Sequence, residues 1–113
     1  MLFSGLMLEM TQLGAVARLF EVLSDANRLA ILQILNERPH AVGELVDRLR
    51  LSQPMVSKHL AVLFETGLLS RERRRTHIIY SIRETMVFRL CDLVCEKLRN
   101  DAQQQVRLFG TSA

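Results

Sequence analysis

The only two cysteines of the chain, Cys91 and Cys95, stand four residues apart. On a helix that spacing puts both thiols on one face, with Cβ atoms roughly 5–6 Å apart. A disulfide needs Cβ atoms about 3.5–4.5 Å apart, so direct closure within an intact helix is strained. A soft ion held between two thiolates suits the gap better, because thiolates select thiophilic species. The alternative is packing: a free cysteine behaves as a small apolar residue in a helix seam. A second group, Ser52, Gln53, Pro54, Met55, Ser57, Lys58 and His59, carries hydrogen-bonding and cationic side chains in one short run. A third is the basic run Arg71, Arg73, Arg74 and Arg75, interrupted by Glu72. Hydrolytic or transfer chemistry has little support. His40, His59 and His77 fall in a turn, a helix and a strand-like stretch, away from either cysteine, and no glycine-rich loop offers a phosphate cradle. The chain is read as a non-enzyme with no obligatory cofactor.

These groups need elements to position them. Val42 to Leu63 reads as two helices joined by a polar turn, with Leu45, Val46 and Leu49 on the apolar side of the first. Ser52 stands at an N-cap, Pro54 in the first turn, and Val56, Leu60 and Leu63 on the buried side of the second. That is the layout of a helix-turn-helix, whose second helix offers its N-terminal residues to a DNA major groove. Gly67 signals the end of this helix. Upstream, Leu13, Val16, Ala17, Phe20 and Leu23 predict a helix over 12–23, and Leu29, Ile31, Leu32, Ile34 and Leu35 a second over 26–36. Downstream, Leu69 and the run Ile78-Ile79-Tyr80-Ser81-Ile82 have strand composition. They predict a β-hairpin with an arginine-rich tip near 73–76, although no Asn-Gly or Asp-Gly marks the turn. The last element is a long helix over 84–105. Phe88, Cys91, Cys95 and Leu98 step along it with the spacing of a helix–helix seam, so it is expected to pair with its copy.

The sequence has 113 residues, 49% of them hydrophobic, with no tryptophan and one tyrosine. The expected organisation is a single domain over 1–113: helix-turn-helix 41–66, wing 68–82, and dimerisation and sensing helix 84–105. The fold class is mainly α with a small β-hairpin wing (α+β), dimerising through terminal helices. A net charge of +3 is mild, so the placement of charge matters more than its sum. The opening MLFSGLMLEM resembles neither a signal peptide nor a membrane span. Its Leu2, Phe3, Leu6 and Leu8 are read either as a tail or as a short helix covering a neighbouring subunit. A cytoplasmic location, no membrane partner and reduced thiols are the expectation.

The chain resembles the ArsR/SmtB family of winged helix-turn-helix transcriptional repressors. The resemblance rests on Leu23-Ser24-Asp25-Ala26-Asn27-Arg28-Leu29-Ala30-Ile31-Leu32, then Glu44-Leu45. It continues through Leu51-Ser52-Gln53-Pro54-Met55-Val56-Ser57-Lys58-His59-Leu60 with Leu63, and Glu65-Thr66-Gly67-Leu68-Leu69. It implies a homodimer that binds a pseudo-palindromic operator on double-stranded DNA and leaves it when an inducer binds. Gln53 and Ser57 then suit base edges, Lys58 and His59 phosphates, and the arginines the DNA backbone or minor groove. Strand alternation prevents all four arginines from facing DNA together.

Three of the family's sensing sites are missing. The arsenic-type Cys-x-Cys is absent from Glu44-Leu45-Val46-Asp47-Arg48-Leu49, and the zinc-type Asp-x-His is absent at Asp92-Leu93-Val94. A thiol pair split between an early and a late helix is also absent. Cys91 and Cys95 remain. Within the resemblance their first ligand is As(III) or Sb(III), with a third thiolate from the partner chain or an exogenous ligand. A soft divalent metal shared by four thiolates comes second and thiol oxidation third.

Overall fold

The computed structural model describes residues 7–109. The expectations for Leu2, Phe3 and Leu6 lie outside these residues. Among the described residues, five helices and three short strands follow one another. They are α1 (Met10–Val22), α2 (Ala26–Glu37), β1 (His40–Ala41), α3 (Val42–Leu49), α4 (Gln53–Glu65), β2 (Leu69–Arg74), β3 (His77–Ile82) and α5 (Met86–Phe109). The chain separates into two compact units, Met1–Arg83 and Glu84–Ala113.

In the first unit, local chemistry sets the helix ends. Asp25 caps α2 by accepting from the backbone N–H groups of Asn27 at 2.8 Å and Arg28 at 3.1 Å. Helix α3 begins where Ala41 donates its N–H to the Glu44 carboxylate at 2.9 Å. It ends at Arg50, held in the left-handed region at φ 55° and ψ 39°. Ser52 caps α4, with Pro54 in its first turn. At the far end of α4, Gly67 at φ 82° lets two backbone N–H groups turn back: Gly67 onto Phe64 O at 3.0 Å and Leu68 onto Leu63 O at 3.1 Å. This pair closes the helix as a Schellman motif, and only glycine reaches that backbone conformation without steric cost.

The core of this unit is aliphatic. Ile31, Leu45, Val56, Leu60 and Leu63, from α2, α3 and α4, are all completely buried, and Leu69 from β2 joins them at 1% exposure. Each contributes about 1.5–3 kcal/mol relative to an exposed side chain.

The strands form an antiparallel sheet in the order β1-β3-β2. Leu69 lies opposite Ile82 and Arg74 opposite His77, leaving Arg75-Thr76 as a two-residue connection. The third strand is absent from the sequence expectation. His40 pairs with Tyr80 and Ala41 with Ile79, and α3 starts at the next residue, so the hairpin and the helix-turn-helix share backbone.

The second unit is α5 with its lead-in. Its 24 residues begin two positions later than expected and extend four further. Leu93, Val94 and Leu98 are exposed along it.

Candidate nucleic-acid interface and thiol pair

At the start of α4 the side chain of Ser52 accepts from the Met55 N–H at 3.3 Å, one of the first-turn donors that no helix can satisfy internally. Ser52, Gln53, Pro54, Met55, Ser57 and Lys58 are all exposed. Val56, Leu60 and Leu63 fasten the opposite side of the helix to the core. The outward face thus joins a hydroxyl, an amide, a second hydroxyl and an ammonium on a helix whose register is fixed by packing. Groups of these kinds read base edges and phosphates.

His59 departs from its expected place on that face. It is only 7% exposed and turns inward. Its Nδ1 lies 3.3 Å from the Arg28 guanidinium and its Nε2 lies 4.0 Å from Asp25 Oδ1. The periodicity carried this signal: His59 follows Val56 by three positions and precedes Leu63 by four, so it belongs to the apolar stripe. Asp25 and Arg28 supply the polar surroundings that an imidazole needs there. Asp25 itself titrates below its ordinary range, chiefly because the Arg28 and Asn27 backbone N–H groups donate to it.

The four arginines of the hairpin are exposed but not equivalent. Alternation along β2 puts Leu69, Arg71 and Arg73 on one face and Ser70, Glu72 and Arg74 on the other. Arg71 lies over the Phe64 ring of α4, 3.9 Å from its centroid. Arg74 donates to Glu72 at 3.0 Å. Among the described residues, Arg73 and Arg75 make no ion pair. Arg73 shares its face with Arg71, and Arg75 occupies the turn at φ 59°. A long side chain in that backbone region costs about 1–2 kcal/mol, which glycine would avoid.

On α5, Cys91 is half-buried and Cys95 exposed, and both are free thiols. Burial pushes the Cys91 thiol above its ordinary value, with smaller contributions from Cys95 and Asp92. Among the described residues no group of three or more His, Cys, Asp or Glu is placed to hold a metal ion. One chain therefore offers a soft ligand two sulfur donors. No helix among these residues is long and apolar enough to cross a membrane.

The sequence matches the profile "Bacterial regulatory protein, arsR family" over residues 25–71, from the cap of α2 to the start of the wing. It is 37% identical over 70 residues to the HTH-type transcriptional repressor SmtB of Mycobacterium tuberculosis, covering 62% of this chain and 52% of that protein. The chain thus spans about half the length of that relative. It is 34% identical over 76 residues to the transcriptional activator HlyU of Vibrio cholerae, covering 67% of this chain and 70% of the relative. Among solved structures it is similar to a homodimeric winged helix-turn-helix DNA-binding domain from Mycobacterium bovis. The TM-score is 0.69 and the identity 29%, covering 79% of this chain and 82% of that one. These relatives are regulators of transcription rather than enzymes. With the capped helix, the wing and these matches together, the chain belongs to the ArsR family of bacterial regulatory proteins.

Proposed function

We propose that this chain is a transcriptional repressor that binds a pseudo-palindromic operator as a homodimer and is released when a thiophilic ligand engages Cys91 and Cys95. One observation carries the DNA-binding reading: Ser52, Gln53, Ser57 and Lys58 are exposed on a helix whose other face is locked into the core by Val56, Leu60 and Leu63. Gln53 and Ser57 read base edges, while Lys58, Arg73 and Arg75 meet phosphates. A dimer brings two such helices to two half-sites one helical turn apart. The exposed Val94 and Leu98 of α5 follow Cys91 by three and seven positions and share its side of the helix, which supports pairing between copies, since such a stripe on a long helix favours a partner.

The inducer follows from the donor set. Two thiols on one helical face supply two of the three bonds that a trivalent metalloid takes, so As(III) or Sb(III) fits if the partner chain or an exogenous thiol gives the third. The neutral trihydroxide of the metalloid condenses with the thiols, each thiol proton leaving with a hydroxide as water, so uptake releases no net protons.

The test is an anisotropy titration of the reduced protein against duplex DNA from its own upstream region, between about 50 and about 200 mM salt. The expected result is tight binding that weakens steeply with salt, and release by Sb(III) or As(III) in the wild type but not in a Cys91→Ser, Cys95→Ser variant. Zinc, cadmium and peroxide are run beside them, and release by one of these reassigns the inducer. Absence of salt-dependent duplex binding overturns the repressor reading. Release of the double variant by the metalloids overturns the sensor.

A further inference from the structure

Arg28, on α2, hydrogen-bonds to both α1 and α4, and nothing in the DNA-contacting face accounts for it. It sits in the first turn of α2 and is partly buried. Its Nε donates to Val22 O at 2.6 Å and its Nη2 to Glu21 O at 3.2 Å. Both carbonyls belong to the last turn of α1; that of Glu21 also accepts from the Ser24 N–H at 3.1 Å and the Ser24 hydroxyl at 2.6 Å. A cation there also meets the negative end of the α1 dipole. Its third group, Nη1, lies 3.3 Å from His59 Nδ1 in the middle of α4. A guanidinium only donates, so Nδ1 accepts, and the neutral ring carries its proton on Nε2. That proton faces Asp25 at 4.0 Å, beyond a direct hydrogen bond, and Nε2 has no partner among the described groups. Asp25 is meanwhile occupied by the backbone of α2. The Arg28 bond is therefore the ring's single direct polar attachment.

We propose that Arg28, acting through His59, is a positioning residue that couples the C-terminal turn of α1 to the orientation of the recognition helix. The inference rests on α4 being the DNA-reading helix. The planar fork is what permits this role: it holds two carbonyls of one helix and the imidazole of another at fixed angles, which a lysine ammonium does not reproduce. A shift of α1 has two outcomes. Either the fork carries His59 with it and α4 turns, moving Ser57 and Lys58 on the same helix, or a bond to a buried ring is broken. Movement at α1 thus reaches the exposed face without touching it.

The test uses the full chain with the background Cys91→Ser, Cys95→Ser, and with Arg18→Cys on α1 and Lys58→Cys on α4 as spin-label sites. Distance distributions are recorded without DNA, for Arg28→Lys, His59→Leu and His59→Asn. Asparagine sets an amide oxygen near the Nδ1 position, whereas leucine keeps volume and removes the acceptor. The expected result is a broadened or shifted α1–α4 distance in Arg28→Lys and His59→Leu, and a wild-type distance in His59→Asn. Duplex affinity, measured in the unlabelled protein with Lys58 intact, falls about tenfold in the first two variants, within the range typical of coupled sites. The double variant Arg28→Lys, His59→Leu falls no further than either single one. Circular dichroism confirms that each variant is folded, and His59→Asn answers the question should His59→Leu fail to fold. An unchanged distance in Arg28→Lys, or His59→Asn behaving as Arg28→Lys does, overturns the coupling, as do additive affinity losses. If the wild type binds no duplex, the DNA reading fails, while the distance measurement still decides the linkage between α1 and α4.

Discussion

The guanidinium of Arg71 lies 3.9 Å from the centre of the Phe64 ring, joining strand β2 to the last turns of helix α4. The contact lends one wing arginine to scaffolding and so divides a run of like residues into two tasks. A cation over an aromatic face at the surface contributes about 0.5–1 kcal/mol. Arg71→Gln is expected to lower stability by about that amount, read from urea midpoints, with Phe64→Leu producing a similar loss. The double variant should cost less than the sum, and strict additivity would show that the stacking is incidental.

Arg73 behaves differently. With no ion pair among the described residues, Arg73→Gln leaves the urea midpoint within about 0.5 kcal/mol of wild type. It lowers the slope of log affinity against log salt by about one. Lys58→Gln should do the same. A slope unchanged in both variants removes these two residues from the phosphate contacts.

Arg75 occupies a left-handed turn at φ 59°. Arg75→Gly relieves the steric cost and is expected to raise stability by up to about 1 kcal/mol, while weakening duplex affinity. A variant both less stable and tighter on DNA would contradict the two halves of this assignment. Retention of an arginine where glycine fits better is the pattern expected when a turn residue is kept for what it touches.

Glu44 binds its own helix end. The Ala41 N–H, and then the Arg38 guanidinium at 3.0 Å, hold its carboxyl below the ordinary glutamate value of 4.5. A lowered folded value means that the unfolded chain takes up its proton first as pH falls. The stabilisation is thus complete above pH about 4.5 and lost as pH drops through the folded value. Glu44→Gln should flatten the acid limb of a stability–pH profile. An identical limb in both proteins would place the acid sensitivity elsewhere, with Glu37 beside Arg48 as the next group to test.

The thiols should react at unequal rates. Burial raises Cys91 and the neighbouring Cys95 raises it further, so at pH 7.5 iodoacetamide should modify Cys95 before Cys91. Cys95→Ser should quicken Cys91. Mass spectrometry of partially labelled protein reads both outcomes, and faster labelling of Cys91 in the wild type would contradict the burial seen here.

Much of this architecture is legible in the residues because the decisive signals are local. Ser52 and Pro54 start α4, and Gly67 ends it by backbone geometry no other residue adopts cheaply. The alternation along β2 is equally local, and it sends Glu72 and Arg74 to one face, where they pair. The exceptions arise over distance. His40-Ala41 is too short to show a period, and becomes a strand only because Tyr80 and Ile79 arrive beside it. His59 falls on the apolar stripe of its helix, but the polar partners that admit an imidazole there, Asp25 and Arg28, come from far back in the chain. The two-residue turn at Arg75-Thr76 lacks the residues that announce such turns, so its place is visible only in the register.

The two-residue strand β1 has a consequence for the thermodynamics of recognition. It hydrogen-bonds to β3 and runs without a spacer into α3, so the wing is stitched to the first helix of the reading unit. A hairpin tethered at one end only would have to be immobilised by each duplex it met. Here that loss of freedom is charged to folding, before any encounter. If α4 is the DNA-reading helix, as proposed, the surface arrives preorganised, and selectivity becomes a question of whether the duplex can conform to it.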